Sequence, residues 1–89
     1  MYKIKILKGY KKQYRKLSKD NQMLVDTIVE KLANDQPLEE KYRDHKLKGE
    51  YKDFRECHIK PNLLLTYQRE EDFLILTCVS LGSHSDLFG

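Results

Sequence analysis

Tryptophan is absent from this chain, and cysteine and proline each occur only twice. Cys57 and Cys78 lie in apolar runs, not in the evenly spaced pattern of a secreted disulfide scaffold, so both are expected to be reduced, buried thiols. Glycine is sparse and isolated, at Gly9, Gly49, Gly82 and Gly89, which argues against a phosphate-cradling loop and against nucleotide hydrolysis. No His-x3-His or Cys-x2-Cys spacing occurs, so neither a metal site nor another cofactor is expected. No apolar run approaches the roughly 18 residues of a membrane span. The first residues alternate lysine with apolar groups in place of a signal-peptide core, and the expectation is a soluble, cytoplasmic protein without a membrane partner.

Acid is also missing from one end. Before Asp20 every charged residue is basic: Lys3, Lys5, Lys8, Lys11, Lys12, Arg15, Lys16 and Lys19. A second basic series, Arg43, Lys46, Lys48, Lys52, Arg55 and Lys60, is interleaved with acids. The net charge is only +3, but its distribution points to a polyanionic partner. A hydrophobic share of 39% with six tyrosines and three phenylalanines supports a folded core, and 89 residues allow one domain, 1–89.

The hydrophobic periods order that domain. Tyr2, Ile4 and Ile6 alternate with lysines as in a strand. Tyr10, Tyr14 and Leu17 then fall on one helical stripe, and Val25, Ile28, Val29 and Leu32, flanked by Leu24, form another. Asp20 is the expected cap of the second helix, and Asn34-Asp35-Gln36-Pro37 stops it. The short link between the stripes predicts an antiparallel helical hairpin. Residues 38–53 read as a long polar loop. Three strands follow, Phe54–Ile59, Leu63–Tyr67 and Phe73–Leu81, with turns at Lys60-Pro61-Asn62 and Arg69–Asp72. The fold class is therefore α+β: an N-terminal strand and a helical hairpin packed on an antiparallel sheet.

All three histidines sit within two residues of a carboxylate, in Asp44-His45, Glu56-Cys57-His58 and His84-Ser85-Asp86. Strand alternation puts Glu56 and His58 on one face and Arg55, Cys57 and Ile59 on the other, so His58 is badly placed to activate the Cys57 thiol. Histidines among cations suit RNA strand cleavage, which needs a base for the 2′-hydroxyl, an acid for the departing 5′-oxygen, and positive charge at the phosphorus. That chemistry requires His45, His58 and His84 to converge. Arg55, Lys48 and Lys52 are the candidate phosphate contacts, with Glu56 expected to hold His58. Two other classes stay open: a noncatalytic inhibitor that binds a protein target, and an RNA-binding module without cleavage.

Tyr42-Arg43-Asp44-His45-Lys46-Leu47-Lys48-Gly49, Phe54-Arg55-Glu56-Cys57-His58-Ile59-Lys60-Pro61, Leu64-Leu65-Thr66-Tyr67 and Leu81-Gly82-Ser83-His84-Ser85-Asp86-Leu87-Phe88, with Pro37-Leu38 before them, resemble the YafQ-type toxins of the RelE/ParE superfamily. The resemblance covers nearly the whole chain. It implies a compact, microbial-RNase-like RelE fold and a metal-independent, ribosome-dependent mRNA endonuclease of a type II toxin–antitoxin system. It also implies a ribbon-helix-helix antitoxin of DinJ or RelB type, with DNA contacted only through the antitoxin complex. The implied site residues are His45, His58, His84 and Phe88. Family members commonly carry aspartate where this chain has Glu56 and Asn62; Glu56 keeps the charge on a longer arm and Asn62 loses it, so the site is expected to rest on histidines.

Overall fold

Two largely apolar strands in the second half of the chain, joined by alternating or polar segments, build one five-stranded sheet. The structure is a computed structural model that describes residues 1–83. Strand β1 (Lys3–Ile6) leads into helices α1 (Lys8–Lys16) and α2 (Lys19–Ala33); β2 (His45–Lys46), β3 (Arg55–Lys60), β4 (Leu63–Glu70) and β5 (Ile75–Gly82) follow. The spatial order is β1-β5-β4-β3-β2. β2 through β5 pair antiparallel, whereas β1 lies parallel to β5, with Ile4 opposite Leu76 and Ile6 opposite Cys78. The helices supply the crossover that a parallel pair requires. The α+β class read from the sequence is the one observed.

The helix stripes bury as their periods require. α1 contributes Tyr10, and α2 contributes Val25, Ile28, Val29, Leu32 and Ala33, to a core completed by Cys57, Leu65, Tyr67, Leu76, Cys78 and Leu81 from the sheet. Tyr14 ties the two helices together by donating to the Asp26 carboxylate at 2.9 Å, while Gln22 Nε2 donates to the Tyr14 carbonyl. The N-cap of α2 is Ser18, whose Oγ accepts from the Asn21 amide at 3.2 Å. Asp20, the expected cap, lies instead in the first turn, where its charge still complements the helix dipole. At the other end Asp35 takes a left-handed conformation (φ 56°), and the Asp35 and Gln36 amides donate to the carbonyls of Leu32 and Lys31. That is the Schellman arrangement, which stops the helix before Pro37. No helix among the described residues is long and apolar enough to cross a membrane.

Residues 38–53 are more ordered than a loop. Two single 3-10 turns, Glu40–Tyr42 and Gly49–Tyr51, flank β2, which pairs with β3. β4 runs on through Glu70, and the following turn takes in Phe73 and Leu74, which are 72% and 51% exposed rather than part of β5.

Cys57 and Cys78 are free and wholly buried, and burial pushes both thiols up to about 12 from an ordinary 9.0. Because the folded protein holds these protons more tightly than the unfolded chain, their contribution to stability is intact below about pH 9 and is lost as pH climbs towards 12. Urea melts should show that alkaline decline. In the same pH range a thiol reagent should label neither cysteine until the protein unfolds; rapid labelling of the native protein would contradict their burial.

Candidate active site

The register of the sheet sets polar residues in a row on the face turned away from the helices. His45 on β2 stands opposite Glu56 on β3, Glu56 opposite Thr66 on β4, and Thr66 opposite Ser80 on β5. One pair along, His58 stands opposite Leu64, and Leu64 opposite Gly82. Directly opposed residues share a face, so two histidines separated by twelve intervening residues become neighbours. Their ring centroids are 6.0 Å apart.

Glu56 lies between them and is only 3% exposed. Its Oε1 is 3.5 Å from His45 Nε2, so the carboxylate attends His45, whereas the sequence reading had it hold His58. His45 Nδ1 is 2.7 Å from the Arg43 carbonyl. A carbonyl only accepts, so Nδ1 carries a proton and Nε2 is the nitrogen turned to the site. Among the described residues Glu56 Oε2 and Thr66 Oγ1 are buried without a hydrogen-bond partner. One ligating atom from each of His45, Glu56 and His58 falls within 4.8 Å of the others. Spacing along the chain does not show this donor set, because cross-strand pairing assembles it.

Asp44, the carboxylate adjacent to His45, serves a different purpose. It accepts from the Tyr67 hydroxyl at 2.5 Å and from Arg55 Nε at 3.4 Å, and Arg55 Nε also reaches the Tyr67 hydroxyl at 3.3 Å. Burial, and then this hydrogen bond to Asp44, raise the Tyr67 hydroxyl above its ordinary range, so it remains a donor. Burial works against the Arg55 charge, but its contacts with Tyr67 and Asp44 outweigh that and the guanidinium is held more firmly protonated. These three groups anchor the segment before β2 to the buried face of β4.

Arg55 therefore does not join the histidines. It faces the other side of β3, where Arg55 and Lys52 line a separate cavity with Lys46 and Arg69, and its acceptor is Asp44. Lys48 is exposed just before the turn at Gly49. His84 and Phe88 lie outside the described residues. Sequence reasoning missed Lys41 and Tyr42, which together with Arg43 and Lys60 line a cavity of about 630 Å³ containing His58. The 3-10 turn that presents them has no strong sequence signature.

Two helices on a mixed five-stranded sheet, with a histidine pair on the far face, give a compact α+β fold of the YafQ/RelE-like kind. The family model described as the bacterial toxin of type II toxin–antitoxin systems, YafQ, matches residues 2–89, and the chain belongs to that family. The mRNA interferase toxin YafQ of Escherichia coli K12 is 32% identical over 75 residues, 84% of this chain and 79% of its own length. The putative toxin YafQ of Haemophilus influenzae is 43% identical over 61 residues, 66% of this chain; the match spans 60% of the Haemophilus protein. Among solved structures, a metal-bound toxin from Helicobacter pylori superposes with TM-score 0.89 at 48% identity, covering 99% of this chain and all of the other. YafQ in the E. coli DinJ–YafQ complex gives TM-score 0.77 at 26% identity, each chain fully covered.

Tyr67→Phe, which removes the short bond to Asp44, should cost about 1–3 kcal/mol in urea unfolding. It should also shift the amide resonances of His45 and Glu56 if the anchor sets the β2 register. Thr66→Val, which deletes an unpaired buried hydroxyl, should leave stability unchanged or raise it by about 1 kcal/mol; a clear loss would show that the hydroxyl has a partner.

Proposed function

We propose that this toxin cuts mRNA on the ribosome by acid–base catalysis in which His45 is the base and His58 the acid. The observation that carries this is the pair of imidazoles beside one buried carboxylate on the sheet face away from the helices. With Nδ1–H given to the Arg43 carbonyl, Nε2 of neutral His45 takes the proton of the attacking 2′-hydroxyl, and Glu56 stabilises the imidazolium that forms. The 2′-oxygen bonds to phosphorus and the P–O5′ bond breaks. The 5′-oxygen leaves with a proton from His58, giving a 2′,3′-cyclic phosphate and a 5′-hydroxyl. With the ligating nitrogens so close, one phosphodiester can meet both rings. His84 and Phe88 are assigned to the same site by family resemblance, and β5 ends at Gly82 in the row of His58. Lys48 is available to the strand; Arg55 and Lys52 are not assigned to it.

E. coli YafQ forms a complex with DinJ, and an antitoxin of that kind is the partner proposed for this chain, in the cytoplasm where ribosomes translate. The relative from H. pylori was crystallised metal-bound. Two imidazoles and a carboxylate suit a divalent transition metal, which when bound at His45, Glu56 and His58 would supply Lewis acidity. The reaction written above uses only the side chains.

His45→Ala and His58→Ala should each lower mRNA cleavage in a translating extract at least about 100-fold with the fold intact by circular dichroism. Full cleavage by both variants would sink the assignment. A chelator selective for zinc and copper should leave the wild-type rate unchanged; its loss would make the metal part of the reaction.

A further inference from the structure

We propose that the cavity beside His58 is a nucleotide subsite that receives the nucleotide on the 3′ side of the cut, with Lys60, Arg43 and Lys41 holding its 3′-phosphate; this rests on the ribonuclease reading above. The cavity lies where β3 outruns its partner. β2 pairs only with Arg55 and Glu56, so among the described residues the outer edge of β3 from His58 to Lys60 has no neighbouring strand and is bordered by the 3-10 turn Glu40–Tyr42. The space between encloses about 630 Å³, within the range of small-ligand sites. Among the described residues its lining carries three cations, Lys41, Arg43 and Lys60, and no carboxylate. Leu24, which is 38% exposed, and Pro61 supply apolar wall.

Local geometry aims these groups. A bulge between His58 and Lys60 adds a residue to β3, and bulges re-aim side chains beside functional sites. Arg43 sits in the left-handed region (φ 46°), a conformation that costs energy for a non-glycine residue. In that conformation its carbonyl orients His45 while its side chain lines the cavity with His58. Lys41 rests 5.2 Å over the Tyr42 ring, and its 3.9 Å pairing with Glu39 is between exposed groups, too weak to withhold it from a phosphate. If His58 protonates the departing 5′-oxygen, the nucleotide bearing that oxygen lies on the His58 side. The chemistry and the cation placement therefore give one strand direction.

The test uses the intact ¹⁵N-labelled toxin without ribosomes, titrated with each of the four nucleoside 3′-monophosphates, which mimic the released 5′-hydroxyl nucleotide, and with inorganic phosphate. Amide shifts should centre on Lys41, Arg43, Ile59 and Lys60. At least one nucleotide should bind more tightly than phosphate. Lys60→Glu and Lys41→Glu, both at exposed positions, should each weaken binding at least tenfold. Shifts centred elsewhere, affinities untouched by both substitutions, or phosphate binding as tightly as every nucleotide would overturn the subsite. Because binding is read without cleavage, failure of the histidine variants to abolish cleavage would overturn the reaction and leave this result separately readable.

Discussion

The hydrogen bond from the Tyr67 hydroxyl to Asp44 fixes the geometry on which the site depends. β2 is only two residues long and cannot hold its own register. A slip of one residue would send His45 to the wrong face of the sheet. Asp44, clamped between Tyr67 and Arg55 on the core side, leaves the next residue to emerge opposite Glu56. The Arg43 carbonyl, one residue further back, then fixes which imidazole nitrogen faces the reaction. Three successive residues thus take three tasks: tautomer, anchor and, in the proposed reaction, base.

The two faces of β3 divide the work. Cys57 and Ile59 complete the hydrophobic core, while Glu56 and His58 face the proposed site, as strand alternation requires. Glu56 is costly in this position, since one of its oxygens is buried with no partner among the described residues. Such a group weakens the fold. The proposed reaction gives it a use: charge that forms on the His45 imidazole would meet a fixed, desolvated carboxylate.

The periods of Tyr2–Ile6 and of the two helix stripes made β1, α1 and α2 legible, and the apolar runs did the same for β3 to β5. The α2 cap was misplaced by two residues, because serine and aspartate are both good caps and only the Asn21 hydrogen bond separates them. The parallel pairing of β1 with β5 is a long-range choice that no local pattern encodes. At the site, the strand argument placed Glu56 and His58 together. The carboxylate beside His45 is Glu56 and not its sequence neighbour Asp44, a pairing set by cross-strand register, which the sequence does not display. Arg55 looked like a phosphate ligand for the same reason: its commitments to Asp44 and Tyr67 come from residues 11 and 12 positions away. Arg43 and Lys60 stood in the basic series, but their convergence with Lys41 around His58 escaped because it is made by a 3-10 turn and a bulged strand end.

The central claim is that His45 and His58 form one acid–base pair acting through the 2′-hydroxyl of the RNA. The most direct measurement is the chemistry of the cut ends of a programmed mRNA, compared with an otherwise identical message carrying a single 2′-deoxynucleotide at the cut position. The expected result is a 2′,3′-cyclic phosphate and a 5′-hydroxyl from the first and no cut at that position in the second. A 3′-hydroxyl and 5′-phosphate, or equal cutting of the deoxy-substituted message, would contradict it.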